Sequence, residues 1–195
     1  MTAPRSAKLA ALAMIVVALT QVAYITLKGE AITGPMIWSL EAIAFLAITL
    51  LALVPLARGA AGTLGWAALA LFGLFNVVQT GMGLTMFGPV GDAGEALAPV
   101  MDAIVGGAFF FYFAGKVMVG IAGLALGAVL LREAATGAKA VGGLAALTGL
   151  AALLVNLAGL LMGMDMVFAA GATGTAATVF TATAIWMLAG RQEAR

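Results

Sequence analysis

The chain has 195 residues, of which 64% are hydrophobic and only 9% are charged, and it contains neither His nor Cys. A soluble domain of this length carries about 25% charged residues and about half apolar ones, so this composition excludes the soluble globular and the disordered classes. The chain is therefore predicted to be an all-α integral membrane protein, with the lipid bilayer as its first partner.

The missing residue types and the small net charge also disfavour several activities. Without His or Cys the chain has no disulfide, no thiol or imidazole catalysis and few ways to bind zinc or an iron–sulfur cluster, so we expect no cofactor. The net charge of +1 is not the basic signature of nucleic-acid binding, and the sequence holds no phosphate-binding loop and no nucleophile elbow. An enzymatic role is disfavoured, and no nucleic-acid partner is expected.

Six apolar runs are long enough to cross a bilayer, which takes about 20 residues at a rise of about 1.5 Å each. They cover residues 9–27, 36–57, 64–87, 109–131, 141–163 and 168–189. Short connections rich in charged residues, Gly or Pro separate them. The sequence therefore predicts one polytopic domain, residues 1–195, built as a bundle of six transmembrane helices with short loops.

The basic residues indicate the orientation, because Lys and Arg in short loops favour the cytoplasmic side. With the N-terminus inside, Lys28 is in an outer connection and Lys116 is within a span. The remaining basic residues are inside: Arg5, Lys8, Arg58, Arg132, Lys139, Arg191 and Arg195. The outer connections hold acidic residues, namely Glu30, Asp92, Glu95 and Asp165. We predict an inner (cytoplasmic) membrane protein with both termini in the cytoplasm.

The fourth apolar run is unusual because its apolar signal begins well before Phe109, at about Ala96. A single helix from Pro99 to Leu131 would be about 50 Å long, whereas the hydrocarbon core is about 30 Å thick. We favour a separate outer interfacial helix over residues 95–105, joined to the span through Gly106 and Gly107. The alternative is one tilted helix with an exposed first turn or two.

A layer of polar side chains is the most informative pattern. Counting about 1.5 Å per residue from the outer end of each span places one candidate per helix between about 8 and 12 Å deep. These residues are Gln21, Glu41, Gln79, Lys116, Asn156 and Thr175. A charged side chain in hydrocarbon costs about 2.5 kcal/mol or more, so Glu41 and Lys116 are expected to face protein or water.

The fourth span indicates which face Lys116 uses. Spacings of three and four residues place it on one stripe with small residues, namely Gly120, Gly123 and Gly127. Small residues allow another helix backbone to approach closely, so we expect Lys116 to share a packed face with Tyr112 one turn outward. The similar depths of Glu41 and Lys116 then predict an ion pair inside the membrane, with Gln79 and Asn156 as hydrogen-bonding neighbours.

Two functional interpretations of this layer stay open. In the first, a small transporter or channel-like carrier has an outward-facing pocket, in which Glu41 attracts a cation or proton and Lys116 holds an anionic or carbonyl group. The ligand-binding residues would be Glu41, Lys116, Gln79, Asn156, Gln21 and Tyr112. In the second, a non-catalytic structural or accessory subunit uses these groups to hold helices together and packs on itself or a membrane partner through Gly-rich faces. A membrane enzyme acting on lipid or quinone through Asp102 or Asp165 is a weaker alternative.

The methionines suggest a further function. Two strings, GMGLTMF and MGMDM, place thioethers near the outer side at spacings that resemble copper(I)-binding segments, because soft sulfur favours a soft ion. The candidate ligands for copper(I) or silver are Met82, Met86, Met162, Met164, Met166 and Asp165. The competing interpretation is that Met fills irregular gaps in an apolar core.

Overall fold

A computed structural model describes residues 1–27, 34–133 and 136–193 as helical, apart from short turns. The predicted positions of Lys28, Glu30 and Arg195 lie outside these ranges. The α-helices are α1 (Ala3–Leu27), α2 (Gly34–Ala57), α3 (Thr63–Met82), α4 (Gly88–Asp92), α5 (Ala98–Glu133), α6 (Thr136–Met162) and α7 (Val167–Glu193). A π-helical turn, Gly83–Phe87, joins α3 to α4. Two 3-10 turns, Glu95–Leu97 and Gly163–Met166, precede α5 and α7.

The described helices include five continuous stretches that are long and apolar enough to cross a membrane, rather than the six separate spans predicted. They are Ala3–Leu27, Gly34–Ala57, Thr63–Asp92, Glu95–Glu133 and Gly137–Glu193. The difference arises in the last stretch of 57 residues, which contains both α6 and α7 because the turn between them is itself helical. The coarser prediction, an all-α bundle apolar enough for a membrane, is confirmed.

The long helices pack as a closed bundle. α1 contacts α2 and α7, α2 contacts α3, and α3 contacts α5. The helices α5, α6 and α7 all contact one another. The interior holds fully buried apolar side chains such as Leu69, Phe72 and Leu126, whereas Ile43 is 69% exposed and Leu161 is 90% exposed on the outside. Large apolar side chains on the outer surface are what a bundle immersed in hydrocarbon presents.

One end of the bundle gathers charged side chains. Lys8 of α1 forms an ion pair with Glu193 of α7 and lies 5.5 Å from the centre of the Trp186 ring. Arg191 donates a hydrogen bond to the carbonyl of Glu133, at the end of α5. The two ends of the chain therefore meet at this charged end.

The helix α5 runs without interruption through Gly106 and Gly107, so the expected separate helix over residues 95–105 is wrong. Its 36 residues span about 54 Å. Gly107 tolerates the helical path because Met82 packs against it, and α5 also contacts α4 and the π-helical turn along this extension. The physical reason is packing: the helical stretch of α3 continues through the π-helical turn to Asp92 and packs beside α5. This pair forms a helical hairpin whose tip, residues 91–100, is exposed.

Glycines on α5 and α6 bring the two backbones together. A Cβ added at Gly120 would lie 2.7 Å from the Gly149 carbonyl oxygen, and one added at Gly149 would lie 2.7 Å from the Gly120 carbonyl oxygen. Gly127 and Gly142 are related in the same way, at 2.6 and 2.9 Å. The glycine stripe predicted for helix packing is therefore covered by α6 of the same chain.

Candidate functional site

The carboxylate of Glu41 is held in the interior by side chains of the neighbouring helix. Glu41 lies on α2 with 3% of its surface exposed. Its Oε1 atom accepts a hydrogen bond from Gln21 Nε2 at 2.7 Å and lies 2.8 Å from the hydroxyl of Thr20. Both partners come from α1, where Thr20 and Gln21 are adjacent near the C-terminal end. Thr20 is a partner that the sequence analysis did not select.

Lys116 is buried between aromatic rings and a glycine. It lies on α5 with 1% of its surface exposed. Its ammonium is 5.3 Å from the centre of the Tyr112 ring and 6.0 Å from that of the Phe72 ring, an arrangement typical of cation–π attraction. A Cβ at Gly174 of α7 would contact the methylene stem of Lys116. Lys116 therefore turns toward α7, whereas the glycine stripe that follows it on α5 faces α6.

The predicted ion pair between Glu41 and Lys116 is wrong. Among the residues that the structure describes, neither side chain forms a salt bridge, and the ammonium of Lys116 has no hydrogen-bonding acceptor. The carboxylate is instead turned toward α1 by Thr20 and Gln21, and the ammonium is turned toward its two rings. The interior thus contains a buried carboxyl group and a buried amine that are not paired with each other.

Asn156 lies at the level of Lys116. Gly159 packs on Phe113, while Gly149 and Leu153 pack on Gly120, so the position of Asn156 on α6 falls between these two contacts. Asn156 is fully buried, and its Nδ2 atom donates to the Ala152 carbonyl at 2.8 Å and to the Ala170 carbonyl of α7 at 3.4 Å. Its Oδ1 atom has no hydrogen-bonding partner within the described residues.

On α3 the buried amide is Asn76 rather than the predicted Gln79. Asn76 is 1% exposed, donates to the Phe72 carbonyl at 2.7 Å and packs directly against Gly115 of α5. Gln79 is only half-buried. The helical spacing could have identified Asn76, because it follows the buried residues Phe72 and Gly73 by four and three positions.

On α7 the predicted Thr175 is half-buried, whereas Thr178 and Thr181 are buried. Thr178 donates to the carbonyl of Gly174 at 2.8 Å. The hydroxyl of Thr181 has no partner within the described part of the chain. Tyr112 is half-buried, and a Cβ at Gly171 would lie 2.9 Å from its hydroxyl. Tyr112 and Lys116 therefore both lie over glycines of α7.

The candidate metal ligands lie near the π-helical turn after α3 and in the turn between α6 and α7. Met82 ends α3 and packs against Gly107, and Met86 in the π-helical turn is 42% exposed. Met162 ends α6, and the 3-10 turn that follows carries the other three candidates, Met164, Asp165 and Met166. Asp165 is exposed. Metal binding by these residues stays a prediction.

Two small pockets of about 130 Å³ each lie away from the buried charges. One is a largely apolar groove between α5 and α6, lined by residues that include Gly106, Phe113 and Met164. The other lies at the charged end, between Trp66, Glu133 and Arg191. Glu41 and Lys116 line neither of them, and their burial closes both side chains off from solvent in this conformation.

Comparisons with models of known protein families, with curated proteins and with solved structures found no match to this chain. The chemistry of the site therefore rests on its own residues. Glu41 offers a carboxyl group, Lys116 offers an amine, and Asn156 offers an unused acceptor, all inside an apolar bundle.

Proposed function

We propose that this protein is a small membrane carrier that binds a polar or charged solute between Glu41 and Lys116. The observation that carries the proposal is the burial of two opposite charges without a direct salt bridge between them. Ionisable groups inside a membrane bundle are costly, and they mark substrate or ion pathways by default. A pair serving only as structural glue gains most when the two charges touch, because their attraction must offset the loss of hydration.

The proposed topology has six crossings with both termini in the cytoplasm of a cell bounded by an inner membrane. A straight helix over the last 57 residues would be about 85 Å long, far beyond the roughly 30 Å of hydrocarbon. Gly163 adopts a φ of +69°, and α6 packs against α7. These features support a reversal between two crossings, and the basic residues at the charged end support its cytoplasmic position.

The buried position of the centre supports a carrier rather than an open pore. Glu41 and Lys116 are 3% and 1% exposed, so a solute reaches them only after helices separate. The glycines at positions 171 and 174 of α7 lie directly against Tyr112 and Lys116. Movement of α7 away from α5 would therefore expose Tyr112 and Lys116. No salt bridge between Glu41 and Lys116 has to break for this movement.

A structural or accessory subunit is the second candidate function. It is favoured by the way the amides and several hydroxyls satisfy their own helices: Asn76 bonds the Phe72 carbonyl, and Thr178 bonds the Gly174 carbonyl. Such groups hold helices together without binding a ligand. Further copies or another membrane protein would then contact exposed helix surfaces, since α6 covers the glycine stripe of α5.

Uptake by proteoliposomes separates the two functions. The purified protein is reconstituted, and uptake of radiolabelled glycine, L-lactate and choline is compared with uptake by empty liposomes. We expect uptake of at least one solute, with at least a tenfold loss in Glu41→Gln and in Lys116→Met. The matched controls are Glu95→Gln and Lys139→Met, whose side chains are exposed and should leave uptake unchanged.

Two results would contradict the carrier. One is uptake of all three solutes at the level of empty liposomes. The other is equal uptake by the buried and the exposed charge variants. If the buried-charge variants lose thermal stability while the wild type transports nothing, the structural subunit is the better description.

A further inference from the structure

Two side chains with unused hydrogen-bonding capacity contact neighbouring turns of α7. Asn156 of α6 donates through Nδ2 to the Ala170 carbonyl, and the stem of Lys116 from α5 lies on Gly174, four residues along α7. Within the described residues, Asn156 Oδ1 has no donor, and the Lys116 ammonium forms no salt bridge. The points at which the two side chains contact α7 are thus separated by about 6 Å along its axis, roughly one helical turn.

The hydrogen-bonding partners that Lys116 and Asn156 lack indicate which groups a ligand would carry. The ammonium of Lys116 requires an acceptor, and a carboxylate is the strongest one available. Asn156 Oδ1 requires a donor, and its orientation is fixed because Nδ2 is already used by two carbonyls. A ligand that satisfies both carries an acceptor and a donor a short distance apart.

The balance of charge narrows the ligand further. Glu41 and Lys116 place one acidic and one basic group in the interior, without a salt bridge between them. A ligand with a net charge would leave the buried region charged, at a large cost in an apolar medium. A ligand that is neutral overall and carries both charges compensates each group and leaves the total at zero.

The packing around Lys116 limits the ligand to a small one. Fully buried Phe72 and half-buried Tyr112 lie beside the ammonium. A Cβ added at Gly171 or Gly174 of α7 would already meet Tyr112 or Lys116, so these two side chains fill the space over the glycines. A ligand therefore enters only when α7 moves away from α5, and a small ligand requires the least movement.

We infer that the solute is a small zwitterion of the amino-acid type, whose carboxylate binds Lys116 and whose ammonium group donates to Asn156 Oδ1 under the attraction of Glu41. This inference rests on the proposed carrier function and names its substrate class. It also assigns Asn156 a specific part: an acceptor for the ligand, in addition to its contact with α7.

Binding and exchange measured together test the inference. Glycine, L-lactate and choline are each added to the full-length protein in detergent while its melting temperature is followed, and each is then tested for exchange in proteoliposomes. We expect glycine to raise the melting temperature and to exchange, with L-alanine competing. We expect at least a tenfold loss of glycine exchange in Asn156→Leu, which removes the acceptor at similar size. Thr148→Val is the control, because Thr148 bonds only to its own helix, through the Leu144 and Ala145 carbonyls.

The outcomes distinguish the substrate class from the carrier function. Exchange of L-lactate or choline without glycine would overturn the zwitterion and leave the carrier intact. The absence of binding and exchange for all three solutes would overturn both. Unchanged glycine exchange in Asn156→Leu would overturn the assignment of Asn156. If Asn156→Leu does not fold, the comparison of glycine, L-lactate and choline on the wild-type protein still decides the substrate class.

Discussion

At the scale of single residues, Glu41 depends on neutral donors. Its Oε1 atom is stabilised by Gln21 and Thr20 of α1, and no salt bridge contributes within the described residues. A hydrogen bond to a charged group contributes about 1.5–3 kcal/mol, more than one between neutral groups. We therefore expect the amide of Gln21 to contribute more to the free energy of unfolding than a half-buried side chain usually does.

The substitution Gln21→Leu tests this role. It removes the donor to Glu41, and we expect the free energy of unfolding in detergent to fall by about 1.5–3 kcal/mol. Unfolding can be followed by tryptophan fluorescence. Gln79→Leu is the matched control, because Gln79 is also half-buried and makes no bond to Glu41; it should change stability by less than about 0.5 kcal/mol. Equal effects of the two substitutions would show that the bond to Glu41 contributes nothing specific.

The contact between Lys116 and Gly174 gives a second prediction at this scale. A methyl group at position 174 would meet the stem of Lys116, so Gly174→Ala should lower the free energy of unfolding by about 1–3 kcal/mol through overpacking. Lys116→Ala removes that stem, so the double variant should recover most of the loss. A double-mutant cycle by thermal unfolding measures this coupling. Gly106→Ala is the control, since nothing lies near its added Cβ. Additive effects would mean that Lys116 does not lie on Gly174.

At the scale of helices, two features decide how α5 behaves. Glycines bring its C-terminal half against the backbone of α6, while its N-terminal part packs beside α3 and α4. Gly106 and Gly107 remain helical although a pair of glycines usually weakens a helix, and Met82 at the end of α3 packs against Gly107. Lys116 thus lies on one continuous helix, and α3 and α6 both pack against that helix.

Adjacent glycines on α6 provide a test of this packing. A Cβ at Gly142 would lie 2.9 Å from the Gly127 carbonyl oxygen, whereas one at Gly143 would have only the Leu131 side chain nearby, at 4.0 Å. Gly142→Ala should destabilise the protein by about 1–3 kcal/mol, because the two backbones must separate. Gly143→Ala should be neutral or stabilising by up to about 1 kcal/mol, because Ala favours the helix. Thermal unfolding compares the two. A smaller loss for Gly142→Ala than for Gly143→Ala would contradict the close approach of α5 and α6.

At the scale of the whole molecule, the bundle of helices is closed at its charged end. Lys8 and Glu193 join the first and last helices, and Arg191 reaches the end of α5. These partly exposed contacts contribute little stability each, since surface pairs are worth about 0–1 kcal/mol. They gather basic residues at one end of the bundle, and the proposed orientation rests on this feature.

The proposed orientation can be tested with single cysteines, since the chain contains none. Glu95→Cys and Asp165→Cys are exposed at the end opposite the charged one, and an impermeant maleimide added to intact cells should label both. Arg58→Cys and Lys139→Cys should be labelled only after the membrane is permeabilised. Labelling of residue 165 on the same side as residue 139 would contradict the reversal between α6 and α7, and a complete exchange of the two patterns would contradict the orientation.

The sequence by itself determined the class of the protein, the existence of its apolar helices and the burial of Glu41 and Lys116. These follow from local physics: about 20 apolar residues partition into a bilayer, and a charge among them must face inward. Only the tertiary structure decided the contacts of these charges. Glu41 turned to Thr20 and Gln21, Asn76 replaced Gln79 in the interior, and the fifth and sixth predicted spans joined through a helical turn. Depth along a helix can be counted from the chain, but the direction of a side chain depends on the rotation of each helix, and packing between helices sets that rotation.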